Sequence, residues 1–117
     1  MNILRLLLVT LLVAILGYTA IVIEHHGWDL MPVFFGDIAK MGWPGQFNLD
    51  FLGFLILSAT WLMWRHQFSA AGLFWGLCGF LGGTPFLCIY LLIASLQAKG
   101  DMRTLLLGNS RAMDKAQ

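Results

Sequence analysis

The sequence predicts an all-α integral membrane protein with three transmembrane helices, a short interfacial helix in the first loop and an amphipathic C-terminal tail. Three observations carry this. Of 117 residues, 59% are hydrophobic and 11% charged, against roughly 45–50% and about 25% in soluble domains. Three stretches are long and apolar enough to rival the roughly 20 residues a bilayer core requires. The thirteen charges, seven basic and six acidic, all lie at the ends of these stretches, in the first connection or in the tail. The same figures exclude a disordered chain, which is rich in charge and poor in aromatics. A net charge of +1 offers no basic footprint for nucleic acid.

The first span covers about residues 3–23, with no charge between Arg5 and Glu24. It also has the outline of a signal peptide. Tyr18 spoils the small-residue cleavage pattern before a cut after Ala20, so a retained helix is expected. The loop that follows contains an interfacial segment at 31–41. Pro32 is placed to start it, Val33, Phe34, Ile38 and Met41 share a face, Asp37 and Lys40 stay wet, and Gly42 ends it. Trp43-Pro44-Gly45-Gln46 reads as a turn.

The second span covers about 47–64, but only Phe51 to Trp64 is free of charge, a rise of about 21 Å. Asn48 is the expected N-cap, with Asp50 in the first turn facing the positive end of the helix dipole. Arg65 to Ser69 closes an antiparallel hairpin to the third span, about 71–97, and Trp61, Trp64 and Trp75 suit an interfacial belt near that turn. Gly82 and Pro85 predict a kink there. In the tail, 98–117, Leu105, Leu106 and Leu107 are expected at the membrane surface, with Arg103 and Arg111 on the wetter side. The whole chain, 1–117, reads as a single membrane domain.

Basic residues near the first helix place the N-terminus in the cytoplasm. Three crossings then put Lys99, Arg103, Arg111 and Lys115 outside, against the same rule.

Gly72, Gly76, Gly79 and Gly83 follow a 4-3-4 spacing along one helix stripe, the pattern that lets membrane helices approach closely. The stripe serves helix packing or a partner interface, and packing inside the bundle is the expected use. His25 and His26 end the first span while His66 ends the second at the opposite side, so no haem or metal site is expected from them. Asp50 and Arg65 are the charges nearest the membrane interior and the polar candidates by default. Cys78 and Cys88, about 15 Å apart on a continuous helix, cannot pair. No phosphate loop, nucleophile elbow or metal-ligand spacing is present, so neither a catalytic set nor a cofactor is expected.

Trp43, Phe47-Asn48-Leu49-Asp50-Phe51, Trp61, Trp64-Arg65, Gly82-Gly83, Tyr90-Leu91-Leu92, Gly100-Asp101 and Leu105-Leu106-Leu107-Gly108 together resemble the small three-span bacterial inner-membrane proteins grouped as domains of unknown function. The resemblance covers most of the chain from Trp43 onward. It implies a bacterial inner membrane and three helices, and no activity. The expected function is that of a non-catalytic accessory or assembly subunit, with the bilayer and other membrane subunits as partners. The alternatives are a binder of quinone, carotenoid or haem in the bundle, or a small oligomeric transporter.

Overall fold

The computed structural model describes residues 1–113; Lys115 and the last residues of the tail lie outside them. The described residues are all helix and connecting turns: α1 (Asn2–His26), α2 (Leu30–Ala39), α3 (Trp43–Arg65), α4 (Ala70–Gln97), α5 (Met102–Leu107) and α6 (Asn109–Met113). Three of them, α1, α3 and α4, are long and apolar enough to cross a membrane.

The aliphatic run of α1 ends at Gly27, whose φ of 74° is open to glycine at little cost and whose amide donates to the Ile23 carbonyl at 2.8 Å. After α2, Met41 turns the chain (φ 60°) and the extended Gly42 caps α3.

That helix begins four residues earlier than expected, because Trp43-Pro44-Gly45-Gln46 is its first turn rather than a loop. The first turn of a helix has no amide partners inside the helix, so Pro44 costs nothing there and its ring presets φ. Gly45 is buried because α2 lies across it; a methyl group there would sit 2.9 Å from the Ile38 Cα. At 23 residues α3 is about 34 Å long, which removes the shortfall the charge-free stretch implied. Asn48 is accordingly not a cap. Its Nδ2 donates to the Phe34 carbonyl at 3.1 Å and ties α3 to α2. Asp50 falls past the second turn, exposed, away from the helix start.

The largest departure is in α4. Its backbone leaves helical geometry at Gly83 (φ 62°, ψ −144°). The Trp75 and Tyr90 rings lie 6.0 Å apart, whereas fifteen residues of straight helix separate them by about 22 Å. Phe86 likewise sits 6.1 Å from Trp75. The expected kink is therefore a reversal, in which residues 84–97 run back beside residues 70–82. Gly82 and Gly83 make room for it. A methyl on Gly82 would meet the Phe86 Cβ at 2.5 Å, and the Gly83 conformation belongs almost wholly to glycine. Pro85, which has no amide to satisfy, follows the break.

The first arm packs on α3 through the glycine stripe. Methyl groups at Gly72 and Gly76 would lie 2.8 Å from the His66 Cβ and 3.1 Å from the Ala59 carbonyl oxygen, Gly79 faces Leu62, and Gly83 faces Phe51 and Leu55. The second arm lies between α3 and the lower half of α1, where Leu8 is buried. The reversal brings the end of α4 back to the end of the molecule that holds Met1 and Arg65, here called the base. The tail stays there too. Its Leu105 is 1% exposed and packs with Ala94, Ala98, Met1 and Leu4. Leu105 therefore faces the inside of the fold rather than lipid, because the returning arm offers it a core, while Leu106 and Met102 remain half exposed. The N-terminus and the described part of the tail thus share one end of the molecule, where three full-length crossings would separate them.

Candidate functional site: the arginine-capped base

The last carbonyls of any helix lack an amide partner and carry the negative end of its dipole. At the base, each of the chain's four arginines reaches a carbonyl near the C-terminal end of a helix. Arg5 of α1 donates through Nη2 to the Ser95 carbonyl of α4 at 3.1 Å and through Nε to the Ser95 hydroxyl at 3.0 Å. Arg111 of α6 donates to the Trp64 carbonyl of α3 at 3.2 Å, its guanidinium stacked 4.2 Å from the Trp64 ring. Arg103 reaches the Ala112 carbonyl of α6 at 3.5 Å. Arg65, at the end of α3, donates Nε to the Leu105 carbonyl of α5 at 2.7 Å and Nη2 to Thr104 O at 3.4 Å. The indole of Trp61 adds a bond to Leu106 O at 3.2 Å. Ser95 is fully buried; it accepts from Arg5 and donates to Leu92 O at 2.8 Å.

Arg65 also donates Nη1 to the Tyr90 hydroxyl at 2.8 Å, and that hydroxyl lies 2.6 Å from His66 Nε2. Because Arg65 occupies an acceptor site of the hydroxyl, the Tyr90 proton is free to go to His66. A Tyr90 proton directed at Nε2 places the imidazole proton on Nδ1. Burial, and secondarily the Arg65 charge, push the His66 pKa below its ordinary value, which agrees with a neutral ring. Trp61, Trp75 and Phe86 surround the Tyr90 ring at 6.0–6.2 Å.

Two hollows meet at this network. One, of about 310 Å³, is lined by Trp75, Phe86, Ile89, Tyr90 and Ile93. The other, of about 270 Å³, is lined by Gln67, Thr104, Asn109 and Ser110 among others. Arg65, His66 and Gln97 border both. A third hollow of about 550 Å³ lies between α3 and the tip of the α4 reversal, bordered by Phe51, Phe54, Gly83 and Leu87.

Of the residues singled out from the sequence, Arg65 is at the centre of the base. Gly72, Gly76, Gly79 and Gly83 face α3 inside the fold, and Gly82 and Pro85 flank the reversal. Asp50, His25 and His26 are exposed, on or near the opposite end. Cys78 and Cys88 lie five residues either side of Gly83 on different arms, so the 15 Å spacing of a continuous helix does not apply; both are free thiols. Among the described residues no three His, Cys, Asp or Glu side chains gather as metal ligands. The gathering of Tyr90, His66, Gln97 and Arg5 with Arg65 at one end of the molecule was not anticipated from the sequence. The one signal for it was the conflict between three crossings and a basic tail, which a reversal in the third stretch removes. No family model, curated protein or solved structure matches the chain, so its own side chains carry the functional reading.

Proposed function

We propose that the chain is a non-catalytic accessory or assembly subunit of a larger complex in a bacterial inner membrane. In this reading α1 and α3 cross the bilayer and the α4 hairpin enters and leaves it from the base. The supporting observation is how the base spends its polar side chains: the arginines, Ser95, Tyr90 and Trp61 hold helix ends together. Interrupted backbone at membrane depth is tolerated where protein or a water-lined cavity covers it, and Gly83 is half-buried against Phe51 and Leu55. The upper part of α1 has the opposite character. Leu16, Tyr18, Ile21 and Val22 are exposed, with 71% of Tyr18 uncovered, leaving an apolar helix surface for lipid or a neighbouring subunit.

The charge distribution supports an orientation. Arg5, Arg65, Lys99, Arg103 and Arg111 are at the base, whereas Glu24, Asp29, Asp37 and a single lysine, Lys40, follow α1 at the other end. Basic residues favour the cytoplasmic side, so both termini face the cytoplasm. Reporter fusions at each terminus check this: both should be active on the cytoplasmic side, and opposite readings would refute the hairpin topology. Purification in mild detergent checks the subunit role, where a stoichiometric membrane partner is expected and a lone monomer counts against it.

The bundle-binder reading is weaker for haem than for a lipid-soluble molecule. His66 is the one histidine at the base, its Nε2 is held by Tyr90, and His25 and His26 lie at the far end of α1.

A further inference from the structure

We propose that the paired hollows at the base bind an anionic phospholipid, its phosphate against Arg65, His66 and Gln97 and one acyl chain along Trp75, Phe86, Ile89 and Ile93. The inference rests on the chain being membrane-embedded but not on its having a protein partner.

The two hollows differ in chemistry and join at shared residues. The apolar one is walled by aromatic rings and bordered by Ile89 and Ile93, which are 46% and 52% exposed. The polar one is bordered by the side-chain amides and hydroxyls of Gln67, Thr104, Asn109 and Ser110, at the level where α3 and α4 end. An occupant that satisfies both is amphipathic, with a polar head toward the base and a hydrocarbon part toward the bilayer.

The groups at the junction specify the head. Arg65 uses three of its five N–H groups on Leu105, Thr104 and Tyr90, so two remain. With the Tyr90 hydroxyl donating to its Nε2, His66 has Nδ1–H as a further donor. Gln97 is exposed and adds an amide. Among the described residues the only formal charge lining either hollow is that of Arg65, and none of their carboxylates borders them. Asp101, the acidic residue nearest in sequence, turns its carboxylate to the α5 start, accepting from the Arg103 amide. A cluster of donors with one positive charge selects acceptor oxygens bearing negative charge, which a lipid phosphate supplies. Its depth suits this as well, since Arg65 and His66 end a membrane-length helix and therefore sit at headgroup level.

The test is titration of the full chain in non-ionic detergent with phosphatidylglycerol carrying brominated chains, read as tryptophan quenching. Saturable quenching is expected, with phosphatidylcholine binding at least about tenfold more weakly. Trp75→Phe should remove most of the saturable signal. Gln97→Glu, an exposed change that places a carboxylate at the junction, should weaken phosphatidylglycerol at least about fivefold, the scale of one like-charge contact, with an unchanged thermal midpoint. Equal binding of the two lipids, or an indifferent Gln97→Glu, overturns the proposal. So does displacement by equimolar inorganic phosphate, which would make the site one for free anion, or displacement by a short-chain quinone that phosphatidylglycerol cannot reverse. Alkaline extraction separates the two levels: a chain released from membranes ends the membrane reading too, whereas a retained chain without lipid selectivity ends only this one.

Discussion

The two ends of the molecule are built from the same kinds of residue and differ in how they are held. At the base, helix ends from α1, α3, α4, α5 and α6 converge, and hydrogen bonds from arginine side chains to carbonyls join segments up to ninety residues apart in sequence. At the other end α1 stands largely clear, with Glu24, His25 and His26 exposed, and the cross-helix hydrogen bond there is that of Asn48 to Phe34. Polar groups near a membrane thus act in two ways. Where several helix termini meet, the free carbonyls create a demand that arginine's planar fork can meet several at a time. Where one helix ends alone, headgroups and water meet that demand.

Removing the central fork is the strongest way to break the contrast. Arg65→Ala takes the side-chain donor from the Leu105 carbonyl and the Tyr90 hydroxyl and leaves Thr104 O with the Gly108 amide alone, and charged hydrogen bonds contribute about 1.5–3 kcal/mol each in partly buried settings. Allowing for partial exposure, a loss of about 3 kcal/mol is expected in detergent unfolding followed by circular dichroism. The residues around Gly100 should become protease-sensitive as α5 and α6 detach. Arg65→Lys should recover only part, because one ammonium cannot span three acceptors.

Gly83→Val attacks the base from a distance. A β-branched residue at φ 62° and ψ −144° carries about 1–3 kcal/mol of backbone strain, and the Phe51 Cζ lies 3.3 Å from where the new Cβ would stand. A straightened α4 would carry the tail away from Arg65. The expected outcome is a stability loss of about 2–3 kcal/mol and, in membranes, a fraction of molecules whose C-terminal reporter appears on the opposite side. An unaffected reporter together with unaffected stability would show that the reversal does not depend on this glycine.

Acidification tests the neutral histidine. The folded pKa of His66 lies below its ordinary value, so the unfolded chain binds the proton more readily. The stability this group contributes is full above about 6.5, the ordinary value, and is lost as pH falls from there through the folded pKa. Protonated Nε2 would also compete with Arg65 for the Tyr90 oxygen. Thermal midpoints should fall with pH in that window, and His66→Phe should flatten the dependence.

How much of this the sequence shows depends on the range of the interaction. Composition and apolar run length are local sums, so the helical class and the three long apolar helices are legible in the residues alone. The 4-3-4 spacing places Gly72, Gly76 and Gly79 on one side of a helix whatever lies opposite, and in the structure that side meets α3. The α3 start was misread because Pro44 and Gly45 signal a turn locally, while a first helical turn tolerates both. The reversal was not legible from Gly82-Gly83-Thr84-Pro85 alone, as the same tetrapeptide suits a kink. What separates the outcomes is distant: Tyr90 meeting Arg65 and His66, and Leu105 filling the space beside Ala94 and Ala98. The arginine caps were hidden for the same reason, because a cap on another helix leaves no spacing in the chain.

The smallest expected effects sharpen the comparison from the other side. His25→Ala, His26→Ala and Asp50→Asn alter exposed groups at or toward the lightly held end, and exposed substitutions away from special geometry change stability by at most about 0.5 kcal/mol. The two histidines sit in the last turn of α1, at the end away from the arginines of the base. Measuring the His25→Ala/His26→Ala double variant beside His66→Phe sets the lightly held end against the base. If the far-end histidines instead cost more than about 1 kcal/mol, that end is held by contacts beyond those within this chain, and α1 above Ile15 becomes the first place to seek the partner subunit.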